Sequence, residues 1–172
     1  EFLIRKSGGK LTGWLSYTLS KTELKMEEIN NGKYYNARFD KSHVANLIIN
    51  YEFSKKYEIS ANFVYNTGSP FTSSSTSYSI QGTPISHNPD NVRNNARLPD
   101  YHRLDLSFTI HGDKTRKNGE KKWLVGDWVF SAYNVYARKN AFTVYFDPAN
   151  NQAIRYSIIA TIVPSITYNF KF

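Results

Sequence analysis

Four histidines, His43, His87, His102 and His111, are the side chains best suited to hold a metal ion or relay a proton. No two of them stand at the two-residue or four-residue spacing that puts ligands on one side of a strand or helix, so no metal site is expected. The run Asn88-Pro89-Asp90-Asn91 through Asn94-Asn95 collects oxygen donors that suit Ca²⁺. It lacks the twelve-residue pattern closed by a terminal Glu and reads as a polar loop. Lys114, Arg116, Lys117, Lys121 and Lys122 form a basic run. They bracket Asn118-Gly119 with Asp113 and Glu120 mixed in, which is the pattern of a solvated hairpin turn rather than of a nucleic-acid site. No Ser-His-Asp group, phosphate loop or dinucleotide fingerprint is visible, and with no Cys there is no thiol chemistry. The expectation is a protein that is not an enzyme and uses no cofactor. Five residues remain as candidates for lining a polar passage: Glu58, Asn62, Asn66, Arg103 and Asp105.

The elements that carry them follow from composition and period. Among 172 residues there are 13 Tyr, 11 Phe and 3 Trp, 16% aromatic against 40% hydrophobic overall. Aromatics thus outweigh aliphatics relative to an ordinary core. Net charge is +8, from 22 Lys+Arg against 14 Asp+Glu, which admits anionic partners without selecting one. No run approaches the roughly 18 apolar residues of a spanning helix. The start, Glu1-Phe2-Leu3-Ile4-Arg5-Lys6, has neither initiator Met nor a signal-peptide pattern, so a processed product or a piece of a longer chain is expected.

Hydrophobicity alternates with a period of two, which belongs to strands with one apolar face. From Ala153 to Phe172 the even positions carry Ile154, Tyr156, Ile158, Ile162, Ile166, Tyr168, Phe170 and Phe172, and the odd ones are mostly polar. This predicts one long strand, with Pro164 marking a bend or a lost ladder bond. Ala45 to Phe53 and Tyr57 to Tyr65 make a hairpin across Ser54-Lys55-Lys56. Leu11 to Ser20 alternates too, with Trp14 interrupting its polar side, as does Arg103 to Ile110. Trp123 to Tyr136 is β in composition with a confused phase, which predicts a bulge or register change.

Strands are expected at about Glu1–Lys6, Lys10–Lys21, Lys41–Phe53, Tyr57–Gly68, Asp100–Ile110, Lys122–Ala137 and Ala153–Phe172. Short connections alternate with long ones at about 22–42, 70–99 and 139–152, the asymmetry of an outer-membrane barrel with brief periplasmic turns and extended external loops. A soluble antiparallel sandwich also alternates. Long strands, a polar face rich in Asn, Ser, Thr, Arg and Glu, and aromatics near strand ends favour the membrane barrel. Seven is odd, whereas bacterial single-chain barrels close with even numbers from about eight. The expected fold class is therefore all-β: an antiparallel transmembrane β-barrel, of which residues 1–172 supply about seven C-terminal strands. A complete eight-stranded barrel is the alternative, and needs Phe142–Phe146 to form a strand of its own, which is not expected.

Five segments carry a family resemblance: 13–21 (GWLSYTLSK), 65–72 (YNTGSPFT), 97–105 (RLPDYHRLD), 133–140 (YNVYARKN) and 164–172 (PSITYNFKF). In this order and spacing they resemble the C-terminal barrel region of TonB-dependent outer-membrane receptors of the Bacteroidota kind, with an ending unlike that of SusC-type glycan importers. The resemblance implies a barrel of about 22 strands filled by a plug, in the Gram-negative outer membrane, importing a scarce nutrient with energy from the TonB complex through an N-terminal region. Neither plug nor TonB box lies in these residues. It also implies outer-membrane lipid, the barrel-assembly machinery and a possible surface lipoprotein as partners, and no nucleic acid. Tyr168, Phe170 and Phe172 match the terminal aromatic pattern read by that machinery. A structural or secretion-associated barrel subunit is the second functional reading, and a small barrel with an enzymatic lumen, such as a lipid hydrolase, is the third.

Overall fold

The computed structural model describes residues 1–88, 92–113, 125–150 and 152–171. It is all-β and antiparallel. One sheet of seven strands dominates: β1 (Phe2–Lys6), β2 (Leu11–Leu19), β3 (His43–Glu52), β4 (Tyr57–Asn66), β5 (Tyr101–Ile110), β6 (Val125–Tyr133) and β7 (Val163–Lys171). Their order in the sheet is their order in the chain, so each strand pairs with the one before it, and β1 and β7 form the outer edges. Up-and-down order of this kind needs only local turns.

Register shows why the sequence alternates. Rows of directly opposed residues run Phe2–Tyr17–Ala45–Tyr65–His102, then Ile4–Leu15–Leu47–Phe63–Leu104. The next rows are Ile49–Ala61–Leu106–Ala132–Pro164 and Tyr51–Ile59–Phe108–Phe130–Ile166. All lie on one face, because opposed residues in a ladder point the same way. The other face carries Ser16, Asn46, Asn62 and Asp105, with Thr109 opposite Glu58 and Asn66 opposite Tyr101. Trp14 sits on it, opposite Arg5 and Ile48, as the pattern break predicts.

All three long connections, 20–42, 67–100 and 134–162, leave from one end of the sheet, and the turns at 7–10 and 53–56 lie at the other. Within the long connections are four two-stranded pairings: Glu23–Leu24 with Tyr35–Asn36, Pro70–Phe71 with Ala96–Arg97, Thr76–Ile80 with Thr83–His87, and Thr143–Asp147 with Gln152–Tyr156. A single 3₁₀ turn, Asn30–Gly32, is the helical element among the described residues.

Three sequence expectations need correction. The alternation from Ala153 onward is not one strand: Gln152–Tyr156 folds onto Thr143–Asp147, and the main sheet resumes only at Val163. Phase is preserved across the break, so periodicity could not report it; what decides is pairing of Tyr145 with Ile154, stacking of Tyr145 on Tyr156 and the bond from the Phe142 N–H to the Tyr156 carbonyl. Hence a strand, Thr143–Asp147, does form where Phe142–Phe146 is not expected to, although outside the main sheet. Finally, β6 has no bulge: it pairs with β7 without interruption from Val125 to Tyr133, and Asp127 and Ser131 share the polar face. The confusion came from Asn134, which lies past the strand end with φ 56°. The basic segment with Asn118-Gly119, residues 89–91 of the Asn-rich loop, and Phe172 fall outside the described residues.

A conventional core is missing. Only Tyr35 and Ala37 are buried hydrophobic residues among those described, both in the first long connection. The chain exposes 12434 Å², against roughly 8,600 Å² for a compact monomer of 19.8 kDa.

Candidate functional site on the polar face

All five candidate lining residues lie on the polar face, Glu58, Asn62 and Asn66 from β4 and Arg103 and Asp105 from β5. Asn62 is directly opposite Asp105. Arg103 and Asp105 stand two apart on one strand, so their side chains are neighbours. The Arg103 Nε donates to both Asp105 carboxylate oxygens at 2.9 Å, and its terminal nitrogen pairs with Asp105 at 2.9 Å. The guanidinium also lies 4.0 Å from the Tyr133 ring centre and donates to the hydroxyls of Tyr101 (2.8 Å) and Tyr133. Charge-assisted bonds and cation–π contact together fix its plane.

Asp105 does a second job by accepting the Asn134 N–H at 2.9 Å. Asn134 is 1% exposed and left-handed, a conformation Asn tolerates better than most residues. Its amide donates to the carbonyls of Arg138 (3.1 Å) and Thr161 (3.2 Å) and its oxygen accepts the Arg138 N–H. Both limbs of the connection 134–162 are thereby tied to the end of the sheet. Asn140 continues the tie, accepting the His102 N–H and donating to the His102 carbonyl. Between this connection and the strands lies a cleft of about 300 Å³ lined by Tyr101, Arg103, Tyr133, Asn140, Phe142 and Ile159. Its lining sets Arg103, already neutralised by Asp105, beside the apolar Phe142 and Ile159, so it suits hydrogen bonding and apolar contact more than ion capture.

The remaining candidates are dispersed. Glu58 lies at the short-turn end, 3.3 Å from His111, whose other ring nitrogen is 3.5 Å from Asp127. Asn66 lies at the long-connection end of β4. Of the other histidines, His43 shares a hydrogen with the Tyr17 hydroxyl and His102 with that of Tyr136, each at 2.7 Å, and His87 meets Tyr78 edge-on. No cluster of three or more metal-donor side chains occurs among the described residues.

The long connections are also locked to each other. Asp40, 1% exposed, accepts from Arg97 and from the Thr22 N–H. Burial alone would raise its pKa, but Arg97 and the Thr22 amide more than offset that and hold it below the usual carboxylate value. Asp100 is lowered too, by bonds from the Tyr65 hydroxyl (2.7 Å) and the Gly68 N–H (3.0 Å). Asn30 and Arg93 exchange side-chain to backbone bonds.

Tyr101 is legible in hindsight, because Tyr101, Arg103 and Asp105 share one parity on one strand. Tyr133, Asn134 and Asn140 are not, since their roles depend on strands pairing some thirty residues apart in sequence. Comparison with protein-family models, curated proteins and solved structures finds no match.

Proposed function

We propose that this chain is a wall segment of an outer-membrane β-barrel of the TonB-dependent receptor type, which binds a scarce nutrient at the outer face and passes it inward without covalent chemistry. The observation that carries this is the apolar face that runs across seven strands, left uncovered by the other described residues. Apolar surface on that scale requires a partner, and lipid is the partner that fits the dimensions. Strands β2 to β7 have 9 or 10 residues each, the length of a tilted strand crossing a bilayer, about 9–11 residues. On the same face aromatic residues gather toward strand ends, Tyr17, Tyr65 and His102 at one and Tyr51, Tyr57, Trp128 and Tyr168 at the other, as interfacial girdles do. Leu15, Leu47, Ala61 and Leu106 occupy the middle.

Glu58, Asn62, Asn66, Arg103 and Asp105 line the lumen in this reading, with the cleft at the outer end. The terminal aromatics Tyr168, Phe170 and Phe172 are the signal for the assembly machinery; the first two are on the lipid-facing side of β7. TonB and a plug act through residues outside this segment.

Sidedness tests the proposal. With cysteine at Ser74 or Ser54 in the full chain, an impermeant thiol reagent applied to intact Gram-negative cells labels the first and spares the second; equal labelling contradicts it. For uptake, deleting the protein and deleting TonB should cause the same growth defect under limitation of one nutrient. A deletion defect in membrane integrity alone would instead favour a structural or secretion-associated subunit.

A further inference from the structure

The short-turn end carries a charge pattern that the transport reading does not use. Lys6 and Lys10 flank the first turn and Lys55 and Lys56 lie in the second; all four are exposed. None of them is in an ion pair among the described residues. The turns are neighbours: the Glu52 N–H donates to the Lys10 carbonyl at 2.8 Å, and the His111 N–H to that of Lys56 at 2.8 Å. At the opposite end Lys21 is paired with Glu23 at 2.9 Å and Arg97 with Asp40, while Lys33 and Arg38 are in no ion pair among the described residues.

Two of the lysines, Lys6 and Lys56, also stand toward the apolar side. Lys6 is opposite Gly13, in the register of the apolar face. Lys56 has its ammonium 5.9 Å from the ring of Tyr57, whose own face is the apolar one and whose ring stacks on Phe108. Tyr51 and Phe53 meet edge to face just inside the same turn. The nearby acids Glu52 and Glu58 oppose one another on the polar face instead. Ammonium groups beyond a rim of aromatic rings, with carboxylates turned away, match a layer of phosphates lying over acyl chains.

We propose that the two short turns form a docking surface for anionic glycerophospholipid headgroups in the leaflet they face. This rests on the membrane reading. Each lysine near a charged surface strengthens binding by about fivefold when unscreened, and the gain is diluted over the rest of the barrel perimeter.

The test places the full chain in phosphatidylcholine vesicles containing a trace of spin-labelled phosphatidylglycerol or spin-labelled phosphatidylcholine and measures the motionally restricted fraction of each. The expected result is a preference of about twofold or more for phosphatidylglycerol. It disappears in about 1 M salt and in K6Q/K10Q/K55Q/K56Q, and persists in K25Q/K33Q/R38Q at the other end. Equal restriction of the two lipids, or a preference that survives the quadruple substitution, overturns the proposal while leaving the membrane reading intact. No restricted component with either lipid overturns both.

Discussion

The two faces of the main sheet are built from alternate residues of the same strands, yet they are satisfied in opposite ways. On the polar face the protein supplies its own partners: Arg103 is held by Asp105, Tyr101 and Tyr133, and Asp105 in turn anchors Asn134. On the apolar face the described residues supply none of comparable extent, and Ile166, Trp128 and Phe108 stay 67%, 46% and 37% exposed. A period of two in sequence therefore reports which face is apolar, while the nature of the covering medium is left to size and surroundings.

The strongest break of this contrast is a charge placed on either face at one depth. Leu106→Arg, opposite Ala61 and Ala132 on the apolar face, should cost about 2–4 kcal/mol in folding into vesicles. Ser107→Arg, next along β5 on the polar face, should cost under about 1 kcal/mol. Urea titrations of both variants in the full chain measure the difference, and equal costs would remove the distinction between the faces.

Next in size is the polar network. Arg103→Ala strips Asp105 of its cation, and the cost should be about 1–3 kcal/mol, felt chiefly as faster hydrogen exchange at Asn134 and Val135, whose N–H groups bond Asp105 and Leu104. Unchanged exchange there would mean that the turn holds itself.

A smaller effect is expected from Gly126→Ala. The Tyr168 ring lies across Gly126, where an added Cβ would overlap it. The ring must shift, disturbing its packing on Trp128 at 4.7 Å, at a cost of about 1 kcal/mol. Tyr168→Ala in the same background should then add less than it does alone, a coupling that a double-mutant cycle reads directly.

Acid has the mildest effect and is confined to the long connections. Asp40 and Asp100 have lowered pKa values in the folded state, so their stabilisation is complete above the ordinary value of 3.8 and is lost as pH falls through the lower folded values. Limited proteolysis within 20–42 and 67–100 should rise over that window with the sheet unaffected, and Asp40→Asn should flatten much of the response.

How much was legible follows from the same contrast. The antiparallel β class, the apolar and polar partners in β2 to β5 and the alternation of short and long connections come directly from period two and turn residues. The break between Tyr156 and Val163 does not, since Ile158 and Ile162 keep the phase without sharing the pairing. Asp40 on Arg97 and Asp105 on Asn134 join residues distant in sequence, and nothing local marks either pair. Arg103 and Asp105 were identifiable as polar-face residues; that they form one unit with Tyr133 required the pairing of β5 with β6.

The central claim is that the even residues of β5 face lipid and the odd ones face water. Nitroxide side chains placed singly from Leu104 to Thr109 in the reconstituted full chain test it through collision rates with oxygen, which concentrates in bilayers, and with a water-soluble nickel chelate. The account predicts an alternation of period two, with positions 104, 106 and 108 high in oxygen and low in nickel and positions 105, 107 and 109 reversed. Nickel accessibility as high at 104, 106 and 108 as at the odd positions would contradict it.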